Sequence, residues 1–204
     1  SQSGRSPDLL VFFDSIRAQG TKVVGIINDT SSPLALECDF LLNINAGEEK
    51  SVAATKSYIG SLFAFASILT TWSEDNDLAN ELQQLPDYLV QALQIAEWPA
   101  FIESLTDTVE TFAIGRGVGL SSALEAALKL KETCRIHAEG ISATEIFHGS
   151  VSLIKENYPI VSFINNDASR SSMLDINKKL TSFGANMLTF DVKGKSTDNT
   201  LVLP

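Results

Sequence analysis

The chain has 204 residues, 44% apolar and 20% charged, the balance of an ordinary globular protein with room for one large domain or two small ones. A net charge of −10 argues against a nucleic-acid platform, which carries a basic face, but not against a small anionic substrate held by local donors. No apolar run approaches the roughly 18 residues of a membrane span, and the polar N-terminus lacks the layout of a signal peptide. The two cysteines, Cys38 and Cys134, make no metal or redox spacing, so a reduced, cytoplasmic setting is expected.

The chain opens on a polar loop, Ser1–Gln2–Ser3–Gly4–Arg5–Ser6, where such a loop would ordinarily follow a strand. Ser6 as N-cap, Pro7 at the first helical position and Asp8 at the positive dipole end predict a helix start. Leu9, Phe12, Phe13 and Ile16 follow at i, i+3, i+4 and i+7 as its apolar face, and Gly20 closes it. Thr21–Asn28 is a continuous apolar run of the kind a buried parallel strand shows, and Phe40–Ile44 reads as a second short strand. A long helix is expected from Val52 to about Trp72, with Ile59, Leu62, Phe63, Ala66 and Leu69 on one stripe. The acidic stretch Ser73–Asp77 breaks it, and helices near 78–95 and 100–105 bridge to the second half.

Thr111–Ile114 reads as a strand ending at Gly115–Arg116–Gly117–Val118–Gly119, with a helix from about Leu120 to Ile136. A loop-rich segment follows, then strands at Pro159–Ile164 and Ala185–Phe190 flanking a helix over 171–182, and a last strand at Leu201–Leu203. Alternating strands and helices imply an α/β protein: two similar lobes, each a mostly parallel sheet flanked by helices. The boundary is expected near residue 95, giving lobes 1–95 and 96–204. A chain that opens in mid-unit is expected to lack a preceding strand and helix, and with no clear closing helix a truncated C-terminus is expected too.

Four segments could carry chemistry. The hydroxyls and N–H groups of the serine loop suit a phosphate, with glycine allowing close backbone approach. On composition alone a plain helix cap is the favoured reading, and Arg5 either adds charge to the site or faces solvent. Gly115–Gly119 misplaces the third glycine of a dinucleotide fingerprint, and the segment 137–140 does not read as the strand end that should bear its acidic residue. A tight strand-to-helix turn is the better reading, and no cofactor is expected. On the following helix Glu125, Lys129 and Glu132 fall at i, i+4 and i+7, with Leu120, Leu124, Ala127, Leu128 and Cys134 forming the apolar face. The charged trio is either a solvated ion-pair ladder or a carboxylate and ammonium jointly presented to a substrate. His148, with His137 the only histidines, makes no zinc pattern and no defensible Ser-His-Asp spacing, so no metal is expected.

Taken together, SQSGRSPD (1–8), NAGEEKSVAATKS (45–57), GRG (115–117) and EAALKLKETCRIHAEGISATEIFHG (125–149) resemble the double sugar-isomerase (SIS) family, which includes the isomerase half of glutamine–fructose-6-phosphate transaminase. The resemblance implies that Ser1, Gln2, Ser3 and Ser6 bind a sugar phosphate and that Val52 lines the sugar site. It implies that Lys129 is the catalytic lysine, that Glu132 shuttles a proton between C1 and C2, and that His148 opens the sugar ring from the neighbouring subunit of a homodimer. Ala54 stands where the transaminase has serine, Ser150 where it has proline, and Arg5–Ser6 where it has an acidic residue and threonine. No glutaminase domain is recognisable, and the synthase's terminal lysine would lie beyond Pro204. The wording of the first two stretches is closer to the stand-alone branch, which includes deaminases that release ammonia from glucosamine 6-phosphate. Transaminase-type isomerisation, fructosamine-phosphate deglycation and a non-catalytic sugar-phosphate sensor are the alternatives; a sensor has no need of Glu132, Lys129 and His148 together.

Overall fold

Continuous apolar runs form buried parallel strands in the second half of the chain, where helices cover both faces of the sheet. The computed structural model describes residues 1–204, which divide into two units, Ser1–Pro86 and Asp87–Pro204. The first holds α1 (Pro7–Arg17), β1 (Val24–Ile27), α2 (Pro33–Glu37), β2 (Phe40–Asn43) and α3 (Lys56–Ser73). Helix α4 (Asn76–Leu93) crosses the boundary and carries Pro86 within it. The second unit holds α5 (Trp98–Glu103), β3 (Glu110–Gly115), α6 (Gly119–Cys134), β4 (His137–Ser142), 3₁₀ turns at Glu145–His148 and Ser150–Leu153, β5 (Tyr158–Ile164), α7 (Arg170–Ser182), β6 (Ala185–Asp191) and β7 (Thr200–Val202).

All five strands of the second unit are parallel, in the order β4-β3-β5-β6-β7. Counted within the unit this is 2-1-3-4-5, the doubly wound order of flavodoxin-like folds. Alternation along the central strands explains the layering. Phe112, Ile114, Ile160 and Ile164 pack with Met173, Ile176 and Leu180 of α7 on one face. Ala113 and Val161 point the other way, against Ala123 and Ala127 of α6. Small alanines there let the helix sit close to the sheet, and Gly115 takes this to its limit: a Cβ would lie 2.1 Å from the Gly119 carbonyl oxygen. The GRG segment is thus a tight strand-to-helix turn.

In the first unit β1 and β2 pair in parallel, Val24 with Phe40 through Ile27 with Asn43. Phe13, Ile27, Leu34 and Ala35 form its small core, with Leu10, Val23 and Cys38 against it. The acidic break after α3 has a specific cause. Glu74 takes the left-handed conformation (φ 54°), and the Asp75 carboxylate then accepts the Leu78 N–H at 2.9 Å, capping α4. No helix is long and apolar enough to cross a membrane.

Four expectations need correction. The α1 face is Leu10 and Phe13; Leu9 and Phe12 are exposed and, with Ile16, border an apolar groove beside β1. The α3 stripe of Ile59, Leu62, Phe63 and Leu69 is likewise exposed, and only Ser57 and Ala64 are buried. On α6 the buried face is Gly119, Ala123 and Ala127, while Leu124 and Leu128 are 51% and 41% exposed and Cys134 lies at the surface. Ranking by side-chain size selected the leucines, whereas close helix–sheet approach selects alanine. The loop-rich segment after α6 also hides β4, so His137–Gly140 does belong to a strand. Its sequence, His-Ala-Glu-Gly-Ile-Ser, carries no apolar run because it is the sheet edge, with Ala138 buried and His137 and Glu139 exposed.

Tyr158, only 4% exposed, has its phenol pushed up to about 12, first by burial and then by the charges of Glu110 and Glu139. The folded state therefore favours the neutral phenol. That contribution to stability is complete below the unfolded value near 10 and is lost as pH rises from there through about 12. A phenolate absorbance titration of the folded protein should show a step near pH 12 that Tyr158→Phe removes; if the step persists in that variant, the assignment is wrong.

Candidate active site

The serine loop is pinned along its backbone to the end of β1. The Ser1 nitrogen donates to the Ile26 carbonyl at 2.7 Å, Asn28 N–H to the Ser1 carbonyl at 3.2 Å, and Asp29 N–H to the Gln2 carbonyl at 3.1 Å. The loop then folds on itself, with Gly4 N–H donating to Ser1 Oγ at 3.1 Å and Arg5 N–H to Ser3 Oγ at 3.3 Å. Gly4 carries the turn at φ +59°, and a Cβ there would lie 2.1 Å from Ser32 Oγ, so both conformation and space demand glycine. Ser6 occupies the N-cap of α1 in extended conformation, but its side chain makes no capping hydrogen bond. The plain helix-cap reading therefore does not account for its hydroxyl.

Arg5 neither faces solvent alone nor adds free charge to the loop. Its Nε and Nη2 donate to Asp29 Oδ2 at 3.2 and 3.0 Å, and Nη2 also reaches Ser31 Oγ at 3.2 Å. The Asp29 carboxyl is held below its usual range, first by the hydrogen bonds from Ser31 and then by Arg5. The guanidinium thus braces the loop and leaves its donors uncrowded.

The second segment, 45–57, leaves β2 and enters α3. Its organiser is Glu49, whose carboxylate accepts Ser57 N–H at 2.9 Å and Ser57 Oγ–H at 2.8 Å, doing the capping that the Thr55 side chain does not. Those two bonds are the leading reasons the Glu49 carboxyl is held below its usual value. Val52 is 99% exposed and packs against nothing. Neither Glu49 nor Asn28, which joins this segment to β1, was singled out by sequence reasoning. Each acts across a loop, where no periodicity marks it.

In the second unit Lys129 and Glu132 come together, Nζ to Oε2 at 2.5 Å, and Glu125 Oε1 lies 3.7 Å from the same ammonium. The Glu132 hydrogen bond, followed by the charges of both glutamates, raises the Lys129 pKa above the ordinary lysine value, so the ammonium is fully charged at neutral pH. Glu125, Leu128 and Glu132 lie opposite the buried Ala123–Ala127 face, so the helix turns this set outward. Lys129 and Glu132 sit 10 and 13 residues into α6, roughly 15–20 Å along it from its N-terminus at 1.5 Å per residue. They are thus remote from the switch point between β3 and β5. The loop at that point already contains its own charges: Arg170 pairs with Asp191 at 2.6 and 3.0 Å, and Asp167 accepts Ser169 N–H at 2.8 Å.

His148 ends the first 3₁₀ turn after β4 and is exposed. The turn beneath it is fixed by buried Ile146 and by Phe147, over whose ring Lys179 Nζ stands at 4.2 Å. No group of three or more His, Cys, Asp or Glu side chains is placed to hold a metal ion.

Known proteins share this chain's sequence pattern and fold. The SIS domain model matches residues 1–71 and 104–199. A glutamine–fructose-6-phosphate aminotransferase (isomerizing) of Thermococcus kodakarensis is 38% identical over 171 residues, 79% of this chain and 28% of that protein. Among solved structures, the C-terminal domain of glucosamine-fructose-6-phosphate aminotransferase from Francisella tularensis superposes with a TM-score of 0.87 at 30% identity, over 100% of this chain and 62% of that one. A Silicibacter pomeroyi protein carrying the provisional name phosphosugar isomerase gives 0.88 at 37%, over 100% and 61%. The chain thus spans about a third of the aminotransferases and about three fifths of the solved chains it resembles. Both the matched model and these relatives lead to one statement: the chain belongs to the SIS domain family.

Proposed function

We propose that this chain catalyses aldose–ketose isomerisation of a hexose phosphate, coupled to release of ammonia from glucosamine 6-phosphate. The observation that carries the reading is the Lys129–Glu132 pair, held at 2.5 Å on the outward face of α6 within a chain that also has a glycine-shaped serine loop. The phosphate is anchored by Ser1, Gln2, Ser3 and Ser6, with Val52 lining the sugar site. Glu132 takes a proton from one of C1 and C2 and returns it to the other, which suits a carboxylate. Lys129, an ammonium flanked by Glu125 and Glu132, stabilises the enediolate oxygen rather than acting as a base. His148 moves the proton between ring oxygen and O1, since an imidazole can both accept and donate a proton. It is supplied by a second copy of the chain, which fits its exposure. Cofactors and metals have no part in this scheme.

A second reading is transaminase-type isomerisation, in which ammonia is added to fructose 6-phosphate. It is favoured by the names of the aminotransferase relatives at 38% and 33% identity. Assaying the full-length protein with glucosamine 6-phosphate, and separately with fructose 6-phosphate plus ammonia, distinguishes the two by which direction runs.

Glu132→Gln should lower turnover by about 10²–10⁴-fold and abolish C1–C2 proton exchange, the range for loss of a general base. Exchange at the wild-type rate would remove Glu132 from the mechanism. Mixing inactive Glu132→Gln and His148→Asn variants under subunit-exchange conditions should restore activity, because a mixed dimer contains one intact set; no recovery would place His148 in its own subunit's site. Gly4→Ala, strained at φ +59° and overlapping Ser32, should raise KM for the sugar phosphate, with a smaller effect on kcat. An unchanged KM would argue against the serine loop as the anchor.

A further inference from the structure

Asn28 stands immediately after β1 and makes three hydrogen bonds in two directions. Its backbone N–H donates to the Ser1 carbonyl at 3.2 Å, fixing the serine loop. Its side chain faces the other segment: Oδ1 accepts Ala46 N–H at 2.9 Å and Nδ2 donates to the Gly47 carbonyl at 2.7 Å. An asparagine amide supplies one acceptor and donors on the same short stem, which is what an adjacent backbone N–H and C=O require. Aspartate lacks the donor, serine lacks the reach, and glutamine adds a methylene the loop would have to absorb. Gly47, at φ +70°, turns its peptide in the left-handed conformation beside this amide. Asn28, itself half-buried, thus joins segment 1–6 to segment 45–57.

We propose that Asn28 is a positioning residue for the phosphate anchor: it holds the serine loop and the 45–57 segment in a single register without itself touching substrate. The proposal rests on the serine loop being the phosphate site. Arg5–Asp29–Ser31 braces the loop from the neighbouring position, so loss of Asn28 loosens the register while leaving the loop attached. The consequence is specific to binding. A rim that samples several arrangements binds the phosphate more weakly, in proportion to the fraction of time it is competent.

The test uses full-length protein titrated calorimetrically with fructose 6-phosphate and, separately, with inorganic phosphate. Asn28→Ala is expected to weaken fructose 6-phosphate binding about tenfold, the scale of two lost neutral hydrogen bonds. KM should rise in step with the dissociation constant while kcat at saturation holds. Ser3→Ala should also weaken binding, and the double variant should lose less than the sum, since Asn28 acts through the loop to which Ser3 belongs. Wild-type affinity in Asn28→Ala, or strictly additive losses, overturns the inference. Should Asn28→Ala fail to fold, Asn28→Asp at high salt decides the matter. It keeps the volume and the acceptor for Ala46, loses the donor to Gly47, and has its through-space repulsion of phosphate screened. Weakened binding supports the proposal, and unchanged binding overturns it. If the unaltered protein binds neither probe and Ser3→Ala changes nothing, the phosphate reading itself fails and takes this inference with it. If Ser3→Ala weakens binding and Asn28→Ala does not, only the inference fails.

Discussion

Parallel pairing is the constraint on which the rest depends. Parallel strands bring all their carboxyl ends to one edge of a sheet, and in each unit that edge gathers segments distant in sequence. In the first unit it joins residues 1–6 to residues 45–57 through the end of β1. In the second it collects the GRG turn, the 3₁₀ turn bearing His148 and the 165–170 loop. The sheet does not create the chemistry of these loops; it fixes where they hang.

The two units use the same device with different outcomes. Each has a loop before a helix, with an arginine paired to an aspartate at the following strand end: Arg5 with Asp29, and Arg170 with Asp191. The second unit's loop also contains Asp167, whose carboxylate accepts the Ser169 N–H and hydroxyl hydrogen bonds there. A carboxylate where an anion would sit is electrostatically unfavourable for phosphate. The first unit's loop has hydroxyls instead, and its arginine bonds outward to Asp29 and Ser31. By this contrast the first unit's loop is the better suited of the two to an anion.

On α6, side-chain size divides the helix into a packed face and an outward one. Alanines at 123 and 127, 0% and 2% exposed, meet the sheet, and the opposite face carries Glu125, Leu128 and Glu132. Because the inward side chains are small, the helix lies close to β3 and β4. This helix packing carries the Lys129–Glu132 pair on a rigid element rather than on a loop. Precise placement of a carboxylate and an ammonium is easier to maintain there.

By itself the sequence determined the alternation of strands and helices, the start of α1 at Ser6–Pro7, the break at 73–77 and the i, i+3 adjacency of Lys129 and Glu132. All of these are local: they follow from periodicity and from the chemistry of a few neighbouring residues. Tertiary structure alone decided that β4 exists, because an edge strand needs a partner more than an apolar run, and that alanines rather than leucines face the sheet on α6. It alone showed that Arg5 belongs to Asp29, that Glu49 caps α3 and that Asn28 ties two loops together. Those contacts span 8 to 24 residues of chain, across loops with no repeating pattern. Only the closing of the backbone onto itself gives them partners.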